Sequence, residues 1–102
     1  MQEFKKLVRD KIPDIIKHQG ETPNIEILSD DKYLFELDKK LNEEVEEYQE
    51  SKQLEELADI LEVIYSICAA RGYSIDELNK IREEKLDKRG GFSERIFLIS
   101  KE

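Results

Sequence analysis

DDKYLFELDKKLNEEVEEYQESKQLEELADILEVIYSICAARG, residues 30–72, decides the fold. Ser29, Asp30 and Asp31 offer N-caps for a helix reaching about Glu50. Ser51-Lys52 is a short break, and a second helix runs from about Gln53 to Ala70 and ends at Gly72. Two long helices joined by so short a break are expected to lie antiparallel as a hairpin. In the first helix Leu34, Leu37, Leu41 and Tyr48 fall on core positions, with Val45 alongside. The same register demands an apolar residue at position 44 and finds Glu44. Glu47 lies farther round the same flank, and Glu43 lies beyond both. In the second helix 11 of the 14 residues from Leu57 to Ala70 are apolar. A helix apolar nearly all round is central in its assembly, so a second copy is expected to help surround it. Glu56 continues the stripe of Ile60, Val63 and Ile67, with Asp59 one turn on.

Working outward, Asp10 is a candidate cap for a first helix from about Val8 to His18, with Pro13 in its first turn and Gly20 as its stop. His18 reads as a cation at the negative end of that helix. Asn24 to Leu28 alternates and reads as a short strand. Ser74 with Glu77 forms a capping box opening a helix from about Ile75 to Asp87, which Gly90-Gly91 end. Phe92 to Ile99 reads as a closing strand, paired with Ile25–Leu28. The expected fold is mainly α: a helical bundle completed by oligomerisation, with a small peripheral pair of β-strands.

The 102 residues suffice for one domain. Only 38% are hydrophobic and 41% are charged, a marginal balance for a monomer. Acidic residues outnumber basic ones 25 to 17, giving −8 at pH 7. That argues against binding a nucleic-acid polymer along its phosphates and against attraction to an anionic membrane. A lone cysteine, Cys68, excludes an internal disulfide and a cysteine-based zinc site. A lone histidine excludes zinc triads and di-iron sites built on paired Glu-x-x-His motifs. The opening MQEFKKLVRDKIP lacks the apolar run of a signal peptide, and no stretch approaches about 20 apolar residues. A cytoplasmic protein is the expectation.

The charge is not spread evenly. Residues 30–62 hold 13 acidic and 4 basic residues, a net of −9, and the rest of the chain is near neutral. Buried unpaired carboxylates are costly, and several converging across a hairpin repel one another. Lys39, Lys40 and Lys52 are expected to fit poorly as neutralisers. A hard divalent cation fits better, because Mg²⁺ takes carboxylate oxygens. Pattern alone leaves two readings standing, a metal site or a solvated acidic edge. Lys85, Lys88, Arg89, Gly90 and Gly91 likewise read either as an anion site or as helix-end cations before a glycine stop. Arg9 and Lys11 have similar standing. Cys68, Tyr48 and Tyr65 read as packing residues.

At these residues the sequence resembles the MazG-like all-α nucleoside triphosphate pyrophosphohydrolases, a superfamily that includes phosphoribosyl-ATP pyrophosphohydrolases and dimeric dUTP diphosphatases. Its motif is E-E-x-x-E on one helix and E-x-x-D on the next. Here these are Glu43-Glu44-Val45-Glu46-Glu47 and Glu56-Leu57-Ala58-Asp59. Only eight residues separate Glu47 from Glu56, a shorter gap than usual, which leaves no room there for an inserted substrate-binding element. A small stand-alone branch resembling phosphoribosyl-ATP pyrophosphohydrolase domains also shares Lys6 to Pro13 (KLVRDKIP) and Lys88 to Phe92 (KRGGF). The resemblance implies that Glu44, Glu47, Glu56 and Asp59 hold Mg²⁺, with Mn²⁺ as a substitute, and that Glu43 orients or deprotonates the attacking water. It favours phosphate binding by Lys85, Lys88, Arg89, Gly90, Gly91, Arg9 and Lys11. The implied reaction converts a nucleoside triphosphate, ribo or deoxy and standard or not, to the monophosphate and pyrophosphate, in a homodimer or higher oligomer. Two alternatives stay open: phosphoribosyl-ATP hydrolysis in histidine synthesis, and a non-catalytic helical interaction module.

Overall fold

The structure, a computed structural model, describes residues 3–102. It is built of four helices, α1 (Ile12–His18), α2 (Asp30–Ser51), α3 (Leu54–Ala70) and α4 (Ile75–Arg89). The mainly α expectation holds.

The hairpin forms for local reasons. The Ser29 side chain accepts from the Lys32 amide at 3.4 Å, and Asp30 and Asp31 place negative charge in the first turn of α2. α2 ends where Lys52 takes a left-handed conformation, φ 58°, its amide donating to the Tyr48 carbonyl. That conformation is strained for a side-chain-bearing residue. It is held by the Lys52 ammonium, which donates to Gln49 Oε1 at 2.6 Å and lies 5.3 Å from the Tyr48 ring centroid. The Gln53 amide donates to Ser51 Oγ at 3.2 Å and completes the turn. Near this turn Glu47 approaches Glu56, and at the open end Arg71 reaches Asp38 at 3.4 Å. α2 and α3 are therefore antiparallel, as their short connection requires.

α3 stops at Gly72, φ 85°, where Tyr73 N–H donates to Cys68 O and Gly72 N–H to Ala69 O. This is a Schellman ending, which a residue without Cβ enters at no steric cost. Ser74 then accepts from the Glu77 amide at 3.1 Å and opens α4, which packs against α3.

Two expectations about α1 and the strands need correction. α1 starts at Ile12, not Val8, and Lys11 rather than Asp10 occupies its N-cap, without a side-chain hydrogen bond. Pro13 explains this. Its ring nitrogen cannot donate to the carbonyl of residue 9, so it belongs in a first turn and not in a helix interior. His18 does sit at the helix end, its Nδ1 donating to Asp14 O at 2.7 Å. Residues 24–28 and 92–99 form no strand, and no strand occurs among the described residues. A strand needs a paired edge, and this chain does not bring those two segments together. Their apolar side chains stay exposed, Ile27 and Ile99 at nearly nine-tenths.

The core is thin. Leu37 and Val63, at 3% and 8% exposure, are the buried apolar residues among those described. α1 lies against no other helix. The radius of gyration is 18.1 Å, against about 13 Å for a compact chain of this length. Leu57 and Leu61 on α3 remain nearly half exposed, so the apolar surface expected to lie at the centre of an assembly is left uncovered in the single chain.

Candidate metal centre

α2 and α3 bring together the four carboxylates that the sequence marks. Glu44, Glu47, Glu56 and Asp59 each offer an oxygen, and these oxygens all lie within 4.8 Å of one another. The helical repeat does the positioning. Glu44 and Glu47, three apart, share one flank of α2, and Glu56 and Asp59 do the same on α3. The tight turn sets the two pairs face to face.

Burial differs across the cluster. Glu44 is 7% exposed and faces the helix interface, as its register requires. Desolvation raises its pKa above the usual carboxylate value, and the nearby Glu47 raises it further, while Lys40 pulls the other way. Glu47 is exposed, and Glu56 and Asp59 are half-buried. Glu56 Oε2 is buried and has no hydrogen-bond partner among the described residues. A carboxylate oxygen stripped of water with nothing in exchange is an expensive feature.

Among the described residues two cations approach the cluster. Lys40 Nζ lies 3.4 Å from Glu44 Oε1 and 3.8 Å from Glu43 Oε2. The expectation that Lys40 fits poorly is thus corrected. It sits three and four residues before these acids on one helix, the spacing that makes side chains neighbours. The second cation comes from outside the hairpin. Arg9 Nη2 donates to Asp59 Oδ1 at 2.7 Å across 50 residues of chain. The resemblance favours Arg9 as a phosphate ligand, and the sequence does not point to this pairing.

Glu43 lies outside the four-carboxylate cluster, half-buried on the adjacent edge. It lines an open groove of about 360 Å³ between α2 and the N-terminal segment, with Phe4, Lys5 and Lys6 on one side and Glu43, Glu46 and Glu47 on the other. Glu47 belongs to both groove and cluster, so the groove opens onto the carboxylates. Lys5 pairs with Glu3 at 3.7 Å, and Lys6 lies over the Phe4 ring.

The remaining candidates are elsewhere. Lys85, Lys88, Arg89, Gly90 and Gly91 are exposed at the end of α4, and no hydrogen bond or ion pair joins them to the carboxylates among the described residues. Gly90 has φ 77° and ends α4, the role of a glycine stop. Lys11 is exposed and lines a separate groove with Asp14, Ile15 and His18 on α1. Cys68 is half-buried on α3.

Chemically, the cluster is an all-oxygen donor set with excess negative charge, two oxygen pairs facing each other and one buried oxygen unsatisfied. The four residues could hold a metal ion. Carboxylate-only sites suit hard cations and not thiophilic ones.

Comparison with known proteins adds a local match. A stretch of 41 residues is 58% identical to part of a protein of Mycolicibacterium smegmatis described as uncharacterized. The match covers 40% of this chain and 42% of that protein's length. No known family's profile matches the sequence. No solved structure matches it either.

Proposed function

We propose that this protein is a Mg²⁺-dependent nucleotide pyrophosphohydrolase of the MazG-like kind, cleaving a nucleoside triphosphate to the monophosphate and pyrophosphate. The observation that carries this reading is the convergence of E-E-x-x-E and E-x-x-D across the hairpin, with the Glu56 oxygen buried and unpartnered among the described residues. A purely solvated acidic edge would leave that oxygen in water.

Glu44, Glu47, Glu56 and Asp59 would hold the cation, with Mn²⁺ as a substitute for Mg²⁺. A bound divalent cation supplies charge neutralisation on phosphate oxygens and acidifies water. Glu43, which lines the groove beside the cluster, would accept the proton of the attacking water. Its carboxylate lies 3.8 Å from Lys40 Nζ. Water adds to the α-phosphorus, the bond from that phosphorus to the α,β-bridging oxygen breaks, and pyrophosphate leaves. Arg9, Lys11, Lys85, Lys88 and Arg89, with the Gly90-Gly91 backbone, are the groups available to meet the phosphates. Among the described residues no hydrogen bond or ion pair joins the α4 set to the acids, and a second copy would bring it there.

That second copy also accounts for the uncovered apolar surface. The exposed leucines of α3 and the residues from Phe92 to Ile99 would be buried in a homodimer or higher oligomer. Sedimentation equilibrium is expected to give at least twice the chain mass of 12.1 kDa at micromolar concentration. A 12.1 kDa species alone would remove this part of the reading.

The direct test is pyrophosphate release from a panel of ribo- and deoxynucleoside triphosphates and phosphoribosyl-ATP, with Mg²⁺ and with chelator. Release only with Mg²⁺ is expected, and the best substrate names the specificity. Failure on every compound, with no effect of Mg²⁺ on melting, would instead favour a non-catalytic helical module.

A further inference from the structure

Arg9 stands out once the whole surface is searched. It belongs to a segment that is cationic in an acidic protein, with Lys5, Lys6, Arg9 and Lys11 against Glu3 and Asp10 between residues 3 and 11. That segment borders the groove leading to the carboxylates. Arg9 alone of its described cations pairs with a member of the cluster, and it does so on Asp59 Oδ1 at 2.7 Å.

The pair is built to exchange. The Arg9 side chain is 60% exposed and that of Asp59 38%. An ion pair so open to water holds weakly. Arg9 has no second carboxylate partner among the described residues, so one hydrogen-bonded contact fixes it. A guanidinium fork fits a phosphate as well as it fits a carboxylate. The same side chain can therefore serve two anions in turn, at one location beside the cluster.

We infer that Arg9 is an exchangeable counter-cation: it neutralises Asp59 while the cluster lacks a divalent cation, leaves that carboxylate when one enters, and then meets the phosphates of the anionic substrate. This rests on the cation-binding reading of the four carboxylates and adds an order of events to it. The exchange keeps Asp59 paired at every stage. It also frees the arginine only when the cation needed for the reaction is in place, so nucleotide binding is coupled to cation binding through one side chain. Lys40 is the contrast. It lies on the same helix as its partners Glu43 and Glu44 and is four-fifths buried, so it stays where it is.

The test uses Mn²⁺ as probe on the full chain, without nucleotide, in wild type, Arg9→Ala and Arg9→Lys. Removal of the competing cation is expected to tighten Mn²⁺ binding about three- to five-fold in Arg9→Ala, the effect an exposed ion pair can exert. Arg9→Lys keeps the charge and is expected to bind Mn²⁺ close to wild type. With Mn²⁺ then in saturating excess, binding of inorganic pyrophosphate is expected to weaken about ten-fold in Arg9→Ala. Circular dichroism confirms that the variants keep their helices. Equal or weaker Mn²⁺ binding by Arg9→Ala would overturn the competition, and unchanged pyrophosphate binding would overturn the hand-over. Both effects without hydrolysis of any triphosphate would sustain the exchange while defeating the proposed activity. Wild type with no affinity for Mn²⁺ would overturn both.

Discussion

Glu56→Gln is expected to lower Mg²⁺-dependent pyrophosphate release by about three powers of ten or more, with the helical content unchanged. Glu56 Oε2 is buried and accepts no hydrogen bond among the described residues. An amide keeps the shape and loses the charge and one cation-binding oxygen. Helix α3 does not depend on that carboxylate. The side chain makes no hydrogen bond among the described residues, and the helix is held by its own backbone ladder and by packing on α2. The paired measurement is initial rate and far-ultraviolet circular dichroism on the same preparation. A loss within ten-fold would remove Glu56 from the cation site. Lost helix would assign it a structural role.

The second large effect is on stability, through Glu44. Its pKa is raised in the folded protein, first by burial and then by Glu47. The folded state therefore binds its proton more tightly than the unfolded chain does. Stability from this group is fully present below the ordinary value of 4.5 and is lost as pH rises through the raised value. Above that range, in chelator, Glu44 is thus a destabilising group. Glu44→Gln, neutral at every pH, is expected to melt higher than wild type at pH 7 in chelator. The difference should vanish below about pH 4, where wild type is protonated as well. Saturating Mg²⁺ reverses the order. A ligand at a hundred times its Kd adds about 2.7 kcal/mol, worth about 10 °C or more for a domain of this size. Wild type should gain that shift, and Glu44→Gln, short of one carboxylate, should gain much less. A variant that melts at or below wild type in chelator would mean that Lys40 already compensates Glu44 in full.

The carboxylate positions were legible because helical periodicity is a strong local rule. Glu44 occupies a slot the apolar stripe reserves, and a two-residue break allows one geometry for the partner helix. The caps were legible for the same reason: Ser29, Gly72 and Ser74 act within one turn of themselves. The pairing of Arg9 with Asp59 was not legible. It spans 50 residues, and nothing in either residue's neighbourhood specifies the other. Lys40 was legible as well: the expectation that it fits poorly overlooks its i, i+3 and i, i+4 spacing from Glu43 and Glu44, which makes them neighbours on one helix. The strands failed for a different reason. Alternation in residues 24–28 and 92–99 reports a tendency to pair, and pairing needs an edge that the single chain does not supply. The same gap leaves Phe92 98% exposed and α3 half covered. Apolar sequence says that a surface is to be buried, not against what.

The most direct test is a ³¹P NMR spectrum of a nucleoside triphosphate incubated with the protein, once with Mg²⁺ and once with chelator. The expected spectrum with Mg²⁺ shows the monophosphate and inorganic pyrophosphate growing together, and with chelator the triphosphate alone. Appearance of the diphosphate and orthophosphate, or product formation that ignores the chelator, would contradict a carboxylate-held cation acting at the α,β linkage.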